Sequence, residues 1–138
     1  MASIMLKGRE IPLIYTVYEL KQVQEEIAPL NEFQYIVLGR NKNDENDSSQ
    51  FGNAQQLDAI AKLVRILGNA GLEENGEAPN LTDKMILRAM KPADIVTFLN
   101  ACMEAINEGM ATEFQEKQDD GPKDVILEEL NKKKQTES

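Results

Sequence analysis

The residue best suited to moving protons near neutral pH is missing from this chain, which has 138 residues and no histidine. Imidazole is also the commonest side-chain ligand for transition metals. Serine-histidine-acid triads, cysteine-histidine dyads, histidine-ligated zinc sites and the facial iron triad therefore cannot be built within it. The single cysteine, Cys102, lies among Leu99, Met103 and Ile106, where it reads as a small buried apolar side chain rather than a nucleophile. Being alone, it cannot form an intramolecular disulfide, and a reducing compartment suits it.

Carboxylates are plentiful, but their setting does not favour catalysis. Glycoside cleavage needs two acids beside a sugar platform, and the chain has no Trp and only 5% aromatic residues. The stretch Asp44-Glu45-Asn46-Asp47-Ser48 resembles a calcium loop, yet Ser49 stands where the loop needs Gly, and Gln55 where it needs a bidentate Glu. Gly68, Gly71 and Gly76 follow a helical pattern rather than a strand and lack the spacing of a nucleotide fingerprint; they read as a helix end and a loop. We expect no catalysis, no cofactor and no bound metal.

The overall charge narrows the partners. With 24 acidic against 15 basic residues the net charge is −9, which repels a phosphate backbone and argues against nucleic acid. Apolar residues make up 41% of the chain, enough for one packed domain, yet none of their runs approaches the roughly 20 residues needed to span a bilayer. The opening Met1-Ala2-Ser3-Ile4-Met5-Leu6-Lys7 lacks the apolar core of a signal peptide. A cytoplasmic protein that binds other proteins, and not a membrane, is the expectation.

The elements that would carry such binding are mostly helical. Ser3 to Lys7 and Glu10 to Tyr15 flank a glycine turn at Gly8-Arg9, as in a β-hairpin with Ile4, Leu6, Ile11, Leu13 and Tyr15 on one face. Pro12 cannot donate to a ladder, so its strand should lie at an edge or leave position 12 unpaired. Thr16 and Glu19 have capping-box spacing, and Val17, Leu20, Val23 and Ile27 form a stripe that Pro29 interrupts. A further helix, with a strand as the alternative, follows around Leu30, Phe33, Val37 and Leu38, then an exposed loop from Gly39 to Asn53. Asn53 caps a helix running to about Ala70 through Leu57, Ile60, Val64 and Leu67. After a second loop, Thr82 caps a short helix that turns Met85, Ile86, Ala89 and Met90 inward. Pro92 opens a long helix with Ile95, Leu99, Cys102, Ile106 and Met110 on one stripe, ending after Gly109. The fold class is mainly α (α+β), a small helical domain over residues 1–112 with an N-terminal β-hairpin.

Residues 113–138 differ in composition and read as an acidic linker with a flexible tail or short helix. Asp124 can cap a last turn carrying Val125, Ile126, Leu127 and Leu130, too short to hold itself in water. It is a partner-binding motif, a flap on its own domain, or a frayed end.

This order of elements resembles the tail assembly chaperones of long-tailed bacteriophages and prophages of Gram-positive bacteria. The phrases carrying the resemblance are Lys7-Gly8-Arg9-Glu10-Ile11-Pro12-Leu13 with Thr16 to Ile27, Ile60 through Gly71, and Ala101 through Met110. The resemblance implies a cytoplasmic chaperone of virion morphogenesis that coats the aggregation-prone tape measure protein, delivers tail tube protein and is left out of the mature virion. It also implies two product lengths through ribosomal frameshifting, for which Lys132-Lys133-Lys134 suggests a slippery adenine run; a basic run complementing a helix C-terminus is the plainer reading. Under this reading Met85, Met90, Met103 and Met110, with Val125, Ile126 and Leu130, are candidate partner-binding positions, since methionines make adaptable apolar surfaces. The same methionines can equally fill the core. A homo-oligomer would suit the coating of a filament. The competing function is an acidic antagonist or mimic that binds a host protein, though the carboxylates here gather mainly in loops and tails.

Overall fold

A computed structural model describes residues 2–44, 46–47 and 49–116. The predicted linker beyond residue 116 and the candidates Val125, Ile126 and Leu130 lie outside them.

The hairpin pairs β1 (Ser3–Leu6) antiparallel with β2 (Arg9–Pro12), in the register Ser3↔Pro12, Ile4↔Ile11, Met5↔Glu10 and Leu6↔Arg9. The turn is Lys7-Gly8, one residue earlier than expected. Both residues have positive φ, 51° and 81°, as a two-residue hairpin turn matching the strand twist requires. Because the sheet has only two strands, the missing N–H of Pro12 costs no ladder bond, and the pairing continues with Leu13 N–H donating to the Ala2 carbonyl at 2.9 Å. Ile4, Leu6, Ile11 and Leu13 are buried on the shared face, as the alternation predicts.

Among the described residues five helices follow: α1 (Val17–Glu26), α2 (Leu30–Leu38), α3 (Ala54–Glu74), α4 (Asp83–Ala89) and α5 (Ile95–Glu116), the last preceded by a 3-10 turn at Pro92–Asp94. The fold is therefore mainly helical with an N-terminal β-hairpin. The helix starts agree with the expected caps. Glu19 accepts from the Thr16 N–H at 2.7 Å, Asn53 Oδ1 accepts from the Gln56 N–H at 2.8 Å, and Thr82 Oγ1 accepts from the Met85 N–H at 3.2 Å. Pro29 separates α1 from α2, and Gly39 closes α2 in the left-handed conformation.

The centre of the molecule is α3, against which β2, α1, α2, α4 and α5 all pack. Its fully buried Ile60, Leu63, Val64, Leu67 and Leu72 meet the hairpin's Ile11 and Leu13 and the Cys102 side of α5 in one core.

Four sequence expectations need correction. Gly68 and Gly71 do not end α3, which continues to Glu74; they sit inside it where neighbours press on the helix, Gly68 under Leu81 and Ile11, Gly71 under Pro12. Helix α5 likewise passes Gly109, which lets the Tyr15 carbonyl approach, and runs to Glu116. Val17 and Met110 belong to apolar stripes but are 79% and 61% exposed. Met85 does not turn inward: it is 47% exposed, while its neighbour Ile86 is fully buried.

Candidate functional site

Reactive groups come first, since they would define a catalytic site. Burial pushes the Cys102 thiol up to about 12, so it carries its proton at neutral pH and is no nucleophile. Glu19 is buried, but its carboxylate is committed to the Thr16 N–H and hydroxyl at the start of α1. Among the described residues no three Cys, Asp or Glu side chains converge as a metal site would require.

A cleft of about 450 Å³ lies along α1 and α3 and is lined by Ile14, Tyr18, Gln22, Arg65, Asn69 and Glu73 among others. Among the described residues that line it the one cation is Arg65, whose Nε donates to Asp83 at 2.6 Å and whose Nη2 donates to Glu26. Burial works against the guanidinium charge, but the hydrogen bonds to Glu26 and Asp83 outweigh it and hold Arg65 above its ordinary value. Arg65 therefore ties α1 and α4 to α3. Asn69 acts similarly, accepting from the Leu81 N–H at 2.9 Å and donating to the Leu81 carbonyl at 3.3 Å. Through Arg65 and Asn69 this cleft holds the loop before α4 in place.

Two grooves border the hairpin. One, about 300 Å³, lies between Ser3, Ile4, Met5 and Glu10 and the start of α5 at Asp94, Thr97 and Phe98. The other, about 240 Å³, lies between the hairpin tip and α4; its walls are Leu6, Ile11, Leu81, Met85 and Ala89, with Lys7 and Arg9 at the rim. Arg9 pairs there with Glu77 at 2.5 Å. This second groove exists because the tight turn ends β1 at Leu6 and because Asn69 fixes Leu81 opposite it. Its lining is predominantly apolar, so it suits an apolar segment better than a charged small molecule.

The structure places the predicted partner-binding methionines in different settings. Met85 lines the groove between the hairpin and α4, Met90 and Met103 are half-buried against the core, and Met110 stands exposed on α5. Sequence reasoning missed the other groove residues, because Leu6 and Ile11 read simply as core positions some seventy residues before Leu81 and Met85. It also passed over Arg65, although a cation set directly between Val64 and Ile66 was a visible signal. No described helix is long and apolar enough to cross a membrane. No known protein family, curated protein or solved structure matches this chain.

Proposed function

We propose that this chain is a non-catalytic phage tail assembly chaperone, which shields apolar helical segments of the tape measure protein and hands on tail tube subunits in the host cytoplasm. The observation that carries the reading is the apolar groove between the hairpin and α4, with Met85 half exposed at its edge. An unbranched thioether adapts to side chains of varied shape, which a client of changing sequence demands. The resemblance of residues 7–13, 60–71 and 101–110 to the tail chaperones is what suggests the tape measure protein as client. Exposed Val17, Tyr18, Val96 and Met110 offer further apolar contact for copies assembled along a filament. The net charge of −9 favours keeping such a surface in solution and argues against a nucleic-acid role.

Co-expression with the large coiled-coil product of a neighbouring gene tests this reading. The partner should become soluble, and co-purify, only when this chain is present. A partner that stays insoluble, with no co-purification, removes the chaperone function.

A further inference from the structure

We propose that the outer edge of β1 pairs with an extended, basic segment of another protein, which joins the hairpin as a third strand. In an antiparallel ladder, hydrogen-bonded and non-bonded pairs alternate. Leu13 N–H donates to the Ala2 carbonyl, so the bonded pairs are Ala2↔Leu13, Ile4↔Ile11 and Leu6↔Arg9. Ser3 and Met5 therefore aim their backbone N–H and carbonyl groups away from β2, and these groups form no hydrogen bond among the described residues.

The two edges of the hairpin differ. On β2 the outward positions are Glu10 and Pro12. Pro12 has no N–H and its carbonyl rests on Gly71, and beyond it Ile14 N–H donates to the Leu67 carbonyl at 3.2 Å, so α3 closes that edge. Strand β1, Ser3-Ile4-Met5-Leu6, has no proline, no charge and no bulge, which are the usual guards against strand addition. Beside it runs the groove of about 300 Å³, where Ile4 and Phe98 offer an apolar floor.

Charge selects the occupant. The ionisable residues lining this groove are Glu10 and Asp94. Each accepts one hydrogen bond, from Ser3 Oγ at 2.9 Å and from the Lys91 N–H at 3.0 Å, and a carboxylate has lone pairs for more. Thr97, Ala101, Glu104 and Glu108 recur at the spacing of one helical face. Thr97 lies beside Ser3 and Met5, and Glu108 accepts from the Ala2 N–H at 3.1 Å, so this face of α5 follows the strand. Neither β1 nor α5 contains Lys or Arg. Lys7 and Arg9 line the groove toward α4, where Arg9 meets Glu77, and Lys91 is exposed ahead of the 3-10 turn and does not line this groove. A second copy would bring its own Glu10 and Asp94, and a net charge of −9, to the same edge. An extended segment that alternates apolar residues with Lys or Arg suits the floor, the acids and the open backbone groups together. The proposal does not rest on the chaperone reading, whose client lies at the other groove.

The test adds the blocked peptide Lys-Val-Lys-Val-Lys-Val-Lys to the full-length protein at low salt and follows amide exchange by NMR. At about ten times its dissociation constant, exchange at Ser3 and Met5 should slow about tenfold, while Ile4 and Leu6, already bonded to β2, change little. The same peptide with Glu in place of Lys should leave every rate unchanged. Met5→Pro removes an outward N–H without touching the ladder to β2 and should abolish the protection of Ser3. Thr97→Lys, at an exposed position, should weaken binding about fivefold. Circular dichroism checks that both variants fold. No protection of Ser3 and Met5, or equal protection by the Glu peptide, overturns the proposal. So does protection that rises with protein concentration in the absence of peptide, which would assign the edge to a second copy.

Discussion

The carbonyl oxygen of Pro12 lies 1.9 Å from the point that a Cβ on Gly71 would occupy, and the carbonyl carbon 2.6 Å from it. Strand β2 thus rests directly on the backbone of α3. On helix propensity alone, Gly71→Ala gains about 1 kcal/mol. The collision is with backbone, which cannot rotate away, and forcing β2 off α3 costs about 1–3 kcal/mol or more. Gly71→Ala should therefore lower the urea midpoint. An unchanged or raised midpoint would mean that the hairpin does not sit on α3 as described.

Gln56 is the buried polar residue that closes the loop from Gly39 to Asn53. It is 1% exposed, and its Nε2 donates to the Val37 carbonyl at 3.0 Å while its Oε1 accepts from the Gly52 N–H at 2.5 Å. Val37 lies in the last turn of α2, where carbonyls lack helical partners, so the side chain supplies what the helix cannot. Gln56→Leu keeps the bulk but strands both backbone groups, at about 1–3 kcal/mol for each left unsatisfied. Amide exchange at Gly52 should accelerate together with the loss of stability. Wild-type protection at Gly52 in the variant would show that the clamp is not what holds the loop.

Cys102 gives a pH-dependent signature. Its folded-state value of about 12 lies above the ordinary 9.0, because burial disfavours the thiolate. The sign follows from linkage: below about pH 9 both states hold the proton and the contribution to stability is complete, and it is lost as the pH rises from there toward 12. At pH 8 a disulfide thiol reagent should leave the native protein unmodified and titrate one thiol in urea. Prompt labelling of the native chain would place Cys102 outside the core.

What the sequence disclosed and what it concealed divide by the range of the interactions. Thr16 with Glu19, Asn53 and Thr82 announced their helices because a cap acts within three residues. The face formed by Ile4, Leu6, Ile11 and Leu13 followed from alternation around a turn. Gly68 and Gly71 were misread because a glycine that ends a helix and one that admits a neighbouring strand look alike locally, and Pro12 is nearly sixty residues away. Met110 was misplaced for a related reason: periodicity marks the apolar stripe of α5 but not where its cover stops. The groove at Met85 joins the hairpin to α4 across the whole of α3, and no local pattern records that meeting.

The account rests on the groove between the hairpin and α4 being the surface that takes an apolar helical client. Methionine methyl NMR reads this most directly, because the chain's six methionines report from different depths. On addition of a soluble tape measure segment, the Met85 methyl should shift strongly and the half-buried Met103 methyl should stay nearly still. A spectrum in which Met85 does not move while the segment demonstrably binds would contradict the account.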